Sequence, residues 1–386
     1  MVMLEERIRT RMFLVFLVVV FVVFSFSGIA AAKSKVRDVR VHSQMPVGHY
    51  LTKAVDLFIK EATERSDGTL KFIHYPAQQL YKDTTIVEAV PDGLIEIGAA
   101  MNVSPWAGKA SEVNLVGLTC VWDSYDHYVR FCYDKENGGG FEYMLYDIAK
   151  EKLNVVNLGG FPYGRNQLPI FVKPVKSAAE WQGKKMRVGS KGQAIFAEAM
   201  GASTVFMSSS ETYMAMQRGI IEGAQSGLTT FVGRKWYEVA KNVPYIDGLF
   251  PYEFQTFVNL DFWNSLTKKQ KRAIAEAWHV AAKYDEKEAY LAELKCRKIL
   301  AEKGVEVWDV PKETADAWKK KGAPMIKEKL ILPAVGNDKK KADEIVQMIE
   351  KTRGLPPSAD LPMKLEVPYK MLDAWHQWFL DKEGLL

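Results

Sequence analysis

The sequence predicts an α/β protein of two lobes with an interlobe cleft, and three observations carry that expectation. The chain has 386 residues, 48% hydrophobic and 26% charged, which is enough for about two independent cores. Residues 39–98 and 184–224 share one order of strand, loop, helix, glycine turn, strand and helix. Both stretches end on a matched tetrapeptide, Gly93-Leu94-Ile95-Glu96 and Gly219-Ile220-Ile221-Glu222, 126 residues apart (219 − 93). Strand–helix–strand units build mainly parallel sheets covered by helices. Two such units therefore predict two lobes made by duplication of one unit, against the blander reading that β-α-β units all look alike. Ligands of such folds sit at the carboxyl ends of strands, here between the lobes.

The elements follow in order. Residues 1–11 carry Arg7, Arg9 and Arg11, Met12 to Phe24 are all apolar, and Ala30-Ala31-Ala32 precedes Lys33. A basic end, an apolar core and a small-residue exit are the three parts of a secretory signal. Cleavage after Ala32 leaves 386 − 32 = 354 residues; an uncleaved anchor is the alternative. Val39–His42 reads as a strand, Ser43–Gly48 as a loop, and His49 to Arg65 as a helix with Leu51, Ala54, Val55, Leu57 and Phe58 on its apolar face. Asp67-Gly68 turns the chain into a strand at Leu70–Tyr75. Asp83 is expected to cap a helix through Val90, and Gly93–Gly98 is strand-like.

In the second unit, Lys185–Val188 is a strand, Gly189–Gly192 a loop, and Gln193–Met200 a helix stopped by Gly201. Thr204–Met207 is the next strand. Ser208-Ser209-Ser210-Glu211 has the spacing of a capping box opening a helix to about Gln217. Thr267 to Lys303 then runs without Pro or Gly. It is one helix of ~55 Å at ~1.5 Å per residue, or two helices with a kink, or a coiled-coil arm, or a spine shared by both lobes. Lys319–Lys321 and Lys339–Lys341 read as solvated helix ends. After Pro356-Pro357 and Pro362, a last amphipathic helix carries Trp375, Trp378 and Phe379 and packs back on a lobe.

Charge excludes some functions. The formal net charge is +5, with 52 Lys+Arg against 47 Asp+Glu, which makes no case for a nucleic-acid footprint. Zinc-protease, nucleophile-elbow, phosphate-loop and dinucleotide motifs are absent from the sequence. The six histidines show no metal spacing, and no metal or cofactor is expected. His42 and His49 flank the first cleft loop. Cys120 and Cys132 either pair or stay with Cys296 as buried free thiols.

The chemistry on offer is arginine. Arg187 ends a predicted strand before the loop at Gly189, and Arg165 stands between Phe161-Pro162-Tyr163-Gly164 and the apolar run Leu168–Val172. A guanidinium is a planar donor fork that grips a carboxylate and stays charged at any working pH. Each arginine faces either a ligand carboxylate or an internal partner such as Glu222 or Glu211. Trp106, Trp122, Tyr163, Phe231, Trp236, Tyr252 and Phe254 surround these stretches, most as core and one or two as cleft wall.

These stretches carry a resemblance. Met45-Pro46-Val47-Gly48-His49, Tyr75-Pro76-Ala77-Gln78-Gln79-Leu80, Glu88-Ala89-Val90 through Glu96, Trp181-Gln182-Gly183-Lys184-Lys185-Met186-Arg187, Gly201-Ala202, Tyr213 through Gly223, and Val258-Asn259 through Trp263 with Leu266 resemble, in order and spacing, the solute-binding subunit of TRAP transporters, the DctP family. The likeness spans residues of about 37–352. It implies a periplasmic binding protein-like fold with one long helix spanning both lobes. It further implies capture of an organic acid anion, delivery to an ion-gradient-driven membrane permease, no cofactor and no catalysis. Arg187 maps onto the family's carboxylate-pairing arginine and Arg165 onto a second, less uniform one. The family's cleft polar residue, often Asn, falls at Gly223-Ala224-Gln225-Ser226, where Ser226 departs from the pattern.

The candidate ligand contacts are thus Arg187, Arg165, Ser226, Gln225, Trp106, Asn102, Phe231 and His49. The expected lobes are 33–162 with about 252–288, and 163–251 with about 289–352, followed by a tail at 353–386. The protein is expected to act as a periplasmic monomer. An ABC-importer binding protein and a secreted enzyme working in the cleft are the alternatives.

Overall fold

The first repeat is built as β1 (Arg37–Ser43), α1 (Tyr50–Arg65), β2 (Leu70–Tyr75), a short α2 (Ile86–Ala89) and β3 (Ile97–Met101). These spans come from a computed structural model that describes residues 36–83, 85–358 and 365–386. The expected leader, its cleavage point after Ala32, and Pro362 lie outside the described residues. Next come α3 (Tyr125–Tyr133), α4 (Phe141–Lys152), β4 (Val155–Pro162) and β5 (Leu168–Phe171). The second repeat is β6 (Lys185–Val188), α5 (Lys191–Ala199), β7 (Ser203–Phe206), α6 (Thr212–Gln217) and β8 (Gly223–Ser226). Then follow α7 (Leu228–Gly233), β9 (Asn242–Tyr245), β10 (Glu253–Asn259), α8 (Leu260–Asn264), α9 (Lys268–Glu302), β11 (Glu306–Asp309), α10 (Lys312–Ile326), α11 (Lys339–Thr352) and α12 (Glu366–Lys382).

The strands form two mixed sheets, ordered β2-β1-β3-β10-β4 and β11-β9-β5-β8-β6-β7, within one compact unit, Asp38–Leu386. The repeats superpose in topology, since β2-β1-β3 matches β7-β6-β8. The register matches too. Val41 and His42 face Ile97 and Gly98 in one sheet, while Met186 and Arg187 face Gly223 and Ala224 in the other. Arg187 is therefore the second-lobe counterpart of His42.

The shared tetrapeptides are helix stops rather than strands. Gly93 (φ 70°) and Gly219 (φ 68°) turn left-handed, a conformation glycine adopts at little steric cost. The next two amides then bond back to one carbonyl, Leu94 and Ile95 to Ala89, and Ile220 and Ile221 to Ala215. The closing glutamates tie the turn to the first strand. Glu96 accepts from the Arg40 amide at 2.8 Å and pairs with its guanidinium at 2.6 Å. Glu222 accepts from the Lys185 amide at 3.3 Å and pairs with Lys184 at 3.4 Å.

Helix α9 is one unbroken helix of 35 residues. Thr267 and Gln270 close a capping box at its start, with the Thr267 amide donating to Gln270 Oε1 at 3.0 Å. It packs on α1, β4 and α12 and also on α7 and β11. Trp278 and Ala281 join the core of the first sheet, and Cys296 and Leu300 join that of the second. One helix thus contributes to both lobes, which disposes of the kinked and coiled-coil alternatives.

Several local expectations change. Helix α2 spans only Ile86–Ala89, and the Asp83 carboxylate accepts from Gln44 at 3.4 Å. No capping box forms at Ser208, whose hydroxyl instead bonds that of Ser210 at 2.9 Å. Lys319–Lys321 lie inside α10, where Lys319 reaches the carbonyls of Trp122 and Asp247. Helix α11, expected with the second lobe, packs on α3 of the first. There the Ile349 carbonyl meets His127 Nε2 at 2.8 Å. Helix α12 packs on α9 and α3. All three cysteines are free and buried. Among the described residues, no helix is long and apolar enough to cross a membrane.

Candidate functional site

The site grows from the end of β6. Arg187 is only 6% exposed, and two carbonyls fix its side chain. Its Nε donates to Met207 O at 2.9 Å and its Nη1 to Gln225 O at 2.9 Å. The Trp236 ring lies 6.0 Å from the guanidinium carbon. Gly189 follows two residues on, and a Cβ there would stand 2.9 Å from Nη2 and 3.2 Å from Nη1. Burial lowers the Arg187 pKa to about 10, with Tyr163 and Asp83 pulling upward and Arg234 downward. The guanidinium is still charged at neutral pH. Among the described residues no carboxylate forms an ion pair with it; Glu222 pairs with Lys184, and Glu211 is exposed. A buried cation held by carbonyls alone is poorly compensated.

Arg187 lines a cavity of about 380 Å³ including its mouth. Gly189, Ser190, Gln193, Ser209, Ser226 and Gln167 line it from the second lobe, and Gln44, Met45 and Asn102 from the first. Tyr163, Tyr252 and Phe254, from the crossing segments, complete the wall. Asn102 bridges the cleft. Its Nδ2 donates to Gly189 O at 3.3 Å, while its Oδ1 accepts from Tyr252 at 2.6 Å. Tyr163 stacks on Phe254 at 4.4 Å and meets Ser226 Oγ at 3.1 Å. Gln193 accepts from the Gly189 amide at 2.7 Å and donates to Gln167 Oε1 at 2.5 Å. Donors and acceptors are therefore held in place around a partly open space, which suits an anion with further polar groups.

The structure brings Arg187, Ser226 and Asn102 together on this cavity. Gln225 contributes its carbonyl, which holds Arg187. Trp106 and Phe231 do not reach it. Trp106 is fully buried against Phe257 at 4.9 Å, and Phe231 stacks on Trp236 at 5.5 Å. Both belong to the apolar cores, Trp106 to one and Phe231 to the other. His49 caps α1, with Nδ1 accepting from the Leu51 amide at 3.2 Å. It lines a neighbouring cavity with Thr229 and Cys296. Burial and the nearby Arg234 push His49 down to about 3, so it is neutral.

Arg165 lies elsewhere. Its amide donates to Glu293 at 3.2 Å, and its guanidinium sits 5.0 Å from the Tyr125 ring and 4.8 Å from that of Tyr290. This holds it in a separate cavity with Asp126, Tyr245 and Asp247. Gln167, two residues later, lines the Arg187 cavity in its stead.

Sequence reading missed Gln44, Gln167, Gln193, Ser190 and Ser209. A signal existed for one of them. In the matched register Gln44 is the counterpart of Gly189, so it also follows a strand at the cleft. Ser190 is the N-cap of α5, accepting from the Gln193 amide at 3.3 Å. Arg234, at the end of α7, acts on Arg187, His49 and Tyr163 and stood out in no motif.

A second constellation bears on catalysis. Ser43 Oγ lies 2.8 Å from His74 Nε2, and His74 Nδ1 lies 2.7 Å from Asp56 Oδ1. The order matches a serine nucleophile triad, but the exposure is reversed. Ser43 is 1% exposed, whereas the Asp56 side chain is 59% exposed. The nucleophile is inside and the orienting acid is in water, so the chain reads as a hydrogen-bonded brace between β1, β2 and α1.

The family model for bacterial extracellular solute-binding proteins, family 7 (DctP), matches residues 41–331. The sialic acid-binding periplasmic protein SiaP of Vibrio cholerae is 26% identical over 251 residues, covering 64% of this chain and 75% of its own. The C4-dicarboxylate-binding protein DctB of Bacillus subtilis is 21% identical over 311 residues, covering 80% and 82%. In fold, the chain resembles a TRAP periplasmic solute-binding protein from Desulfovibrio salexigens solved with orotic acid. That likeness has a TM-score of 0.73 at 19% identity and covers 82% of this chain and 98% of the other. With three quarters of its length matched and the two-lobed α/β architecture in place, the chain belongs to the DctP family of TRAP-type solute-binding proteins.

Proposed function

We propose that this protein is exported, closes its lobes on an organic acid anion, and hands it unchanged to an ion-gradient-driven TRAP permease. The observation that carries the reading is Arg187, a buried cation with no paired carboxylate among the described residues, set against a polar cavity. A ligand carboxylate supplies the missing charge, and exclusion of water strengthens the contact. Ser226 and Asn102 add hydrogen bonds from opposite lobes. The relatives named above, which bind sialic acid, C4-dicarboxylates and orotic acid, support an acid ligand. Lobe closure is proposed to pivot where the chain crosses between sheets, near Pro162–Gly164 and Phe250–Tyr252, with the protein acting as a monomer.

The test is a thermal-shift and calorimetric screen of organic acids against the wild-type protein and Arg187→Ala. The variant is expected to fold and lose at least 100-fold in affinity. Unchanged affinity would remove Arg187 from the site. Recovery of a chemically altered ligand would replace binding with catalysis.

A further inference from the structure

The charges around the cavity constrain the ligand beyond its being an acid. Arg187 lines the cavity, and Arg234 and Asp83, which do not line it, act on Arg187 and on one another. His49 is neutral. These groups sum to one positive charge, and a single anionic group on the ligand cancels it. A second carboxylate leaves the closed cleft with an excess negative charge at low dielectric, which is costly.

The lining of the cavity agrees. Arg187 is the only cationic residue that lines it among the described residues. The rest of the lining includes the amides of Gln44, Asn102, Gln167 and Gln193 and the hydroxyls of Ser190 and Tyr252. Gln193 is already engaged with Gly189 and Gln167. Arg165, the second guanidinium that the sequence suggested, sits in the other cavity between Tyr125 and Tyr290. Neutral amides match hydroxyl, carbonyl or lactam groups, whereas a buried carboxylate needs a cation or several converging N–H donors. The cavity is tight, since its volume of about 380 Å³ includes open solvent at the mouth.

We infer that the ligand is a small monocarboxylate whose other polar groups are uncharged, and that this site discriminates against dicarboxylates. The inference rests on the proposed arginine–carboxylate reading and narrows it. The relatives bind acids of both classes, so kinship alone does not choose between them.

The experiment titrates the wild-type protein calorimetrically with two series. One contains pyroglutamate, lactate, orotate and galacturonate; the other contains succinate, malate and fumarate. The best monocarboxylate is expected to bind at least tenfold tighter than any dicarboxylate. Gln167→Arg, which adds a second guanidinium to the lining, is expected to shift that ratio at least tenfold toward succinate. A wild-type ratio below tenfold overturns this inference but leaves the arginine–carboxylate reading standing. Failure of every acid in both series to bind folded protein overturns both. If Gln167→Arg does not fold, the wild-type ratio still decides.

Discussion

Gly189 leaves the space that the Arg187 guanidinium fills. A Cβ at Gly189 would come within 2.9 Å of Nη2, closer than side chains tolerate, and the two carbonyl bonds of Arg187 leave the guanidinium little room to retreat. Gly189→Ala is therefore expected to preserve the fold and weaken ligand binding ten- to a hundredfold. That corresponds to about 1–3 kcal/mol for a displaced charged hydrogen bond. Calorimetry beside circular dichroism checks it, and wild-type affinity in the variant would show that the arginine adapts freely.

The same Gly189 carbonyl receives Asn102 Nδ2 from across the cleft at 3.3 Å. Asn102 also accepts from Tyr252 at 2.6 Å, so its loss opens one interlobe bond and releases a wall tyrosine. Asn102→Ala is expected to raise the ligand off-rate about tenfold, in line with a net ~1 kcal/mol per bond, with the on-rate nearly unchanged. Stopped-flow measurement reads both rates. An effect confined to the on-rate would place Asn102 outside the closed-state latch.

Much of this geometry was legible in the residues. The paired β-α-β units, the uninterrupted Thr267–Lys303 run and the position of Arg187 at a strand end follow from periodicity and from glycine and proline placement. The family resemblance supplied the rest of the expected layout. Local strand-likeness misled at Gly93–Glu96, because an apolar pair after a left-handed glycine suits a helix stop as well as a strand. Arg165 and Gln167 show the deeper limit. Two residues apart, one goes to an aromatic sandwich and the other to the Arg187 cavity. That choice is set by Glu293, Tyr125 and Tyr290, which are distant in sequence. Trp106 and Phe231 failed for a related reason, since an aromatic beside a cleft and one in the core read alike in one dimension.

Burial makes the protein's stability pH-dependent in an unusual direction. Glu286 is almost fully buried and accepts from Tyr125 at 2.7 Å. Burial raises its pKa from 4.5 to about 7, against the pull of Arg165 and the Tyr125 bond. A carboxyl whose folded-state pKa is raised binds its proton more tightly folded than unfolded. Its contribution is thus greatest below the unfolded value and is lost as pH rises from about 4.5 to 7. The linked change is roughly 3 kcal/mol. Urea unfolding at pH 5 and pH 8 should show stability falling with pH, and Glu286→Gln should flatten that fall. An unaltered profile in the variant would assign the dependence to other groups.

The two arginines singled out by sequence should separate cleanly in one experiment. Arg165 lies between Tyr125 and Tyr290 at 5.0 and 4.8 Å, and its charge holds down the pKa values of buried Glu286 and Glu293. Arg165→Ala removes two ring contacts worth about 0.5–2 kcal/mol each and the cation beside those carboxyls. It is expected to cost about 2–4 kcal/mol of stability, most visibly above pH 7, where Glu286 ionises. Because Arg165 is outside the Arg187 cavity proposed to hold the ligand, affinity measured on the folded fraction at low temperature should stay within threefold of wild type. Arg187→Ala should give the opposite pattern, near-normal unfolding with binding lost, because that side chain contributes a poorly compensated charge rather than packing. A hundredfold loss of affinity in Arg165→Ala would bring Arg165 back into the ligand's reach and undo the assignment of the two cavities.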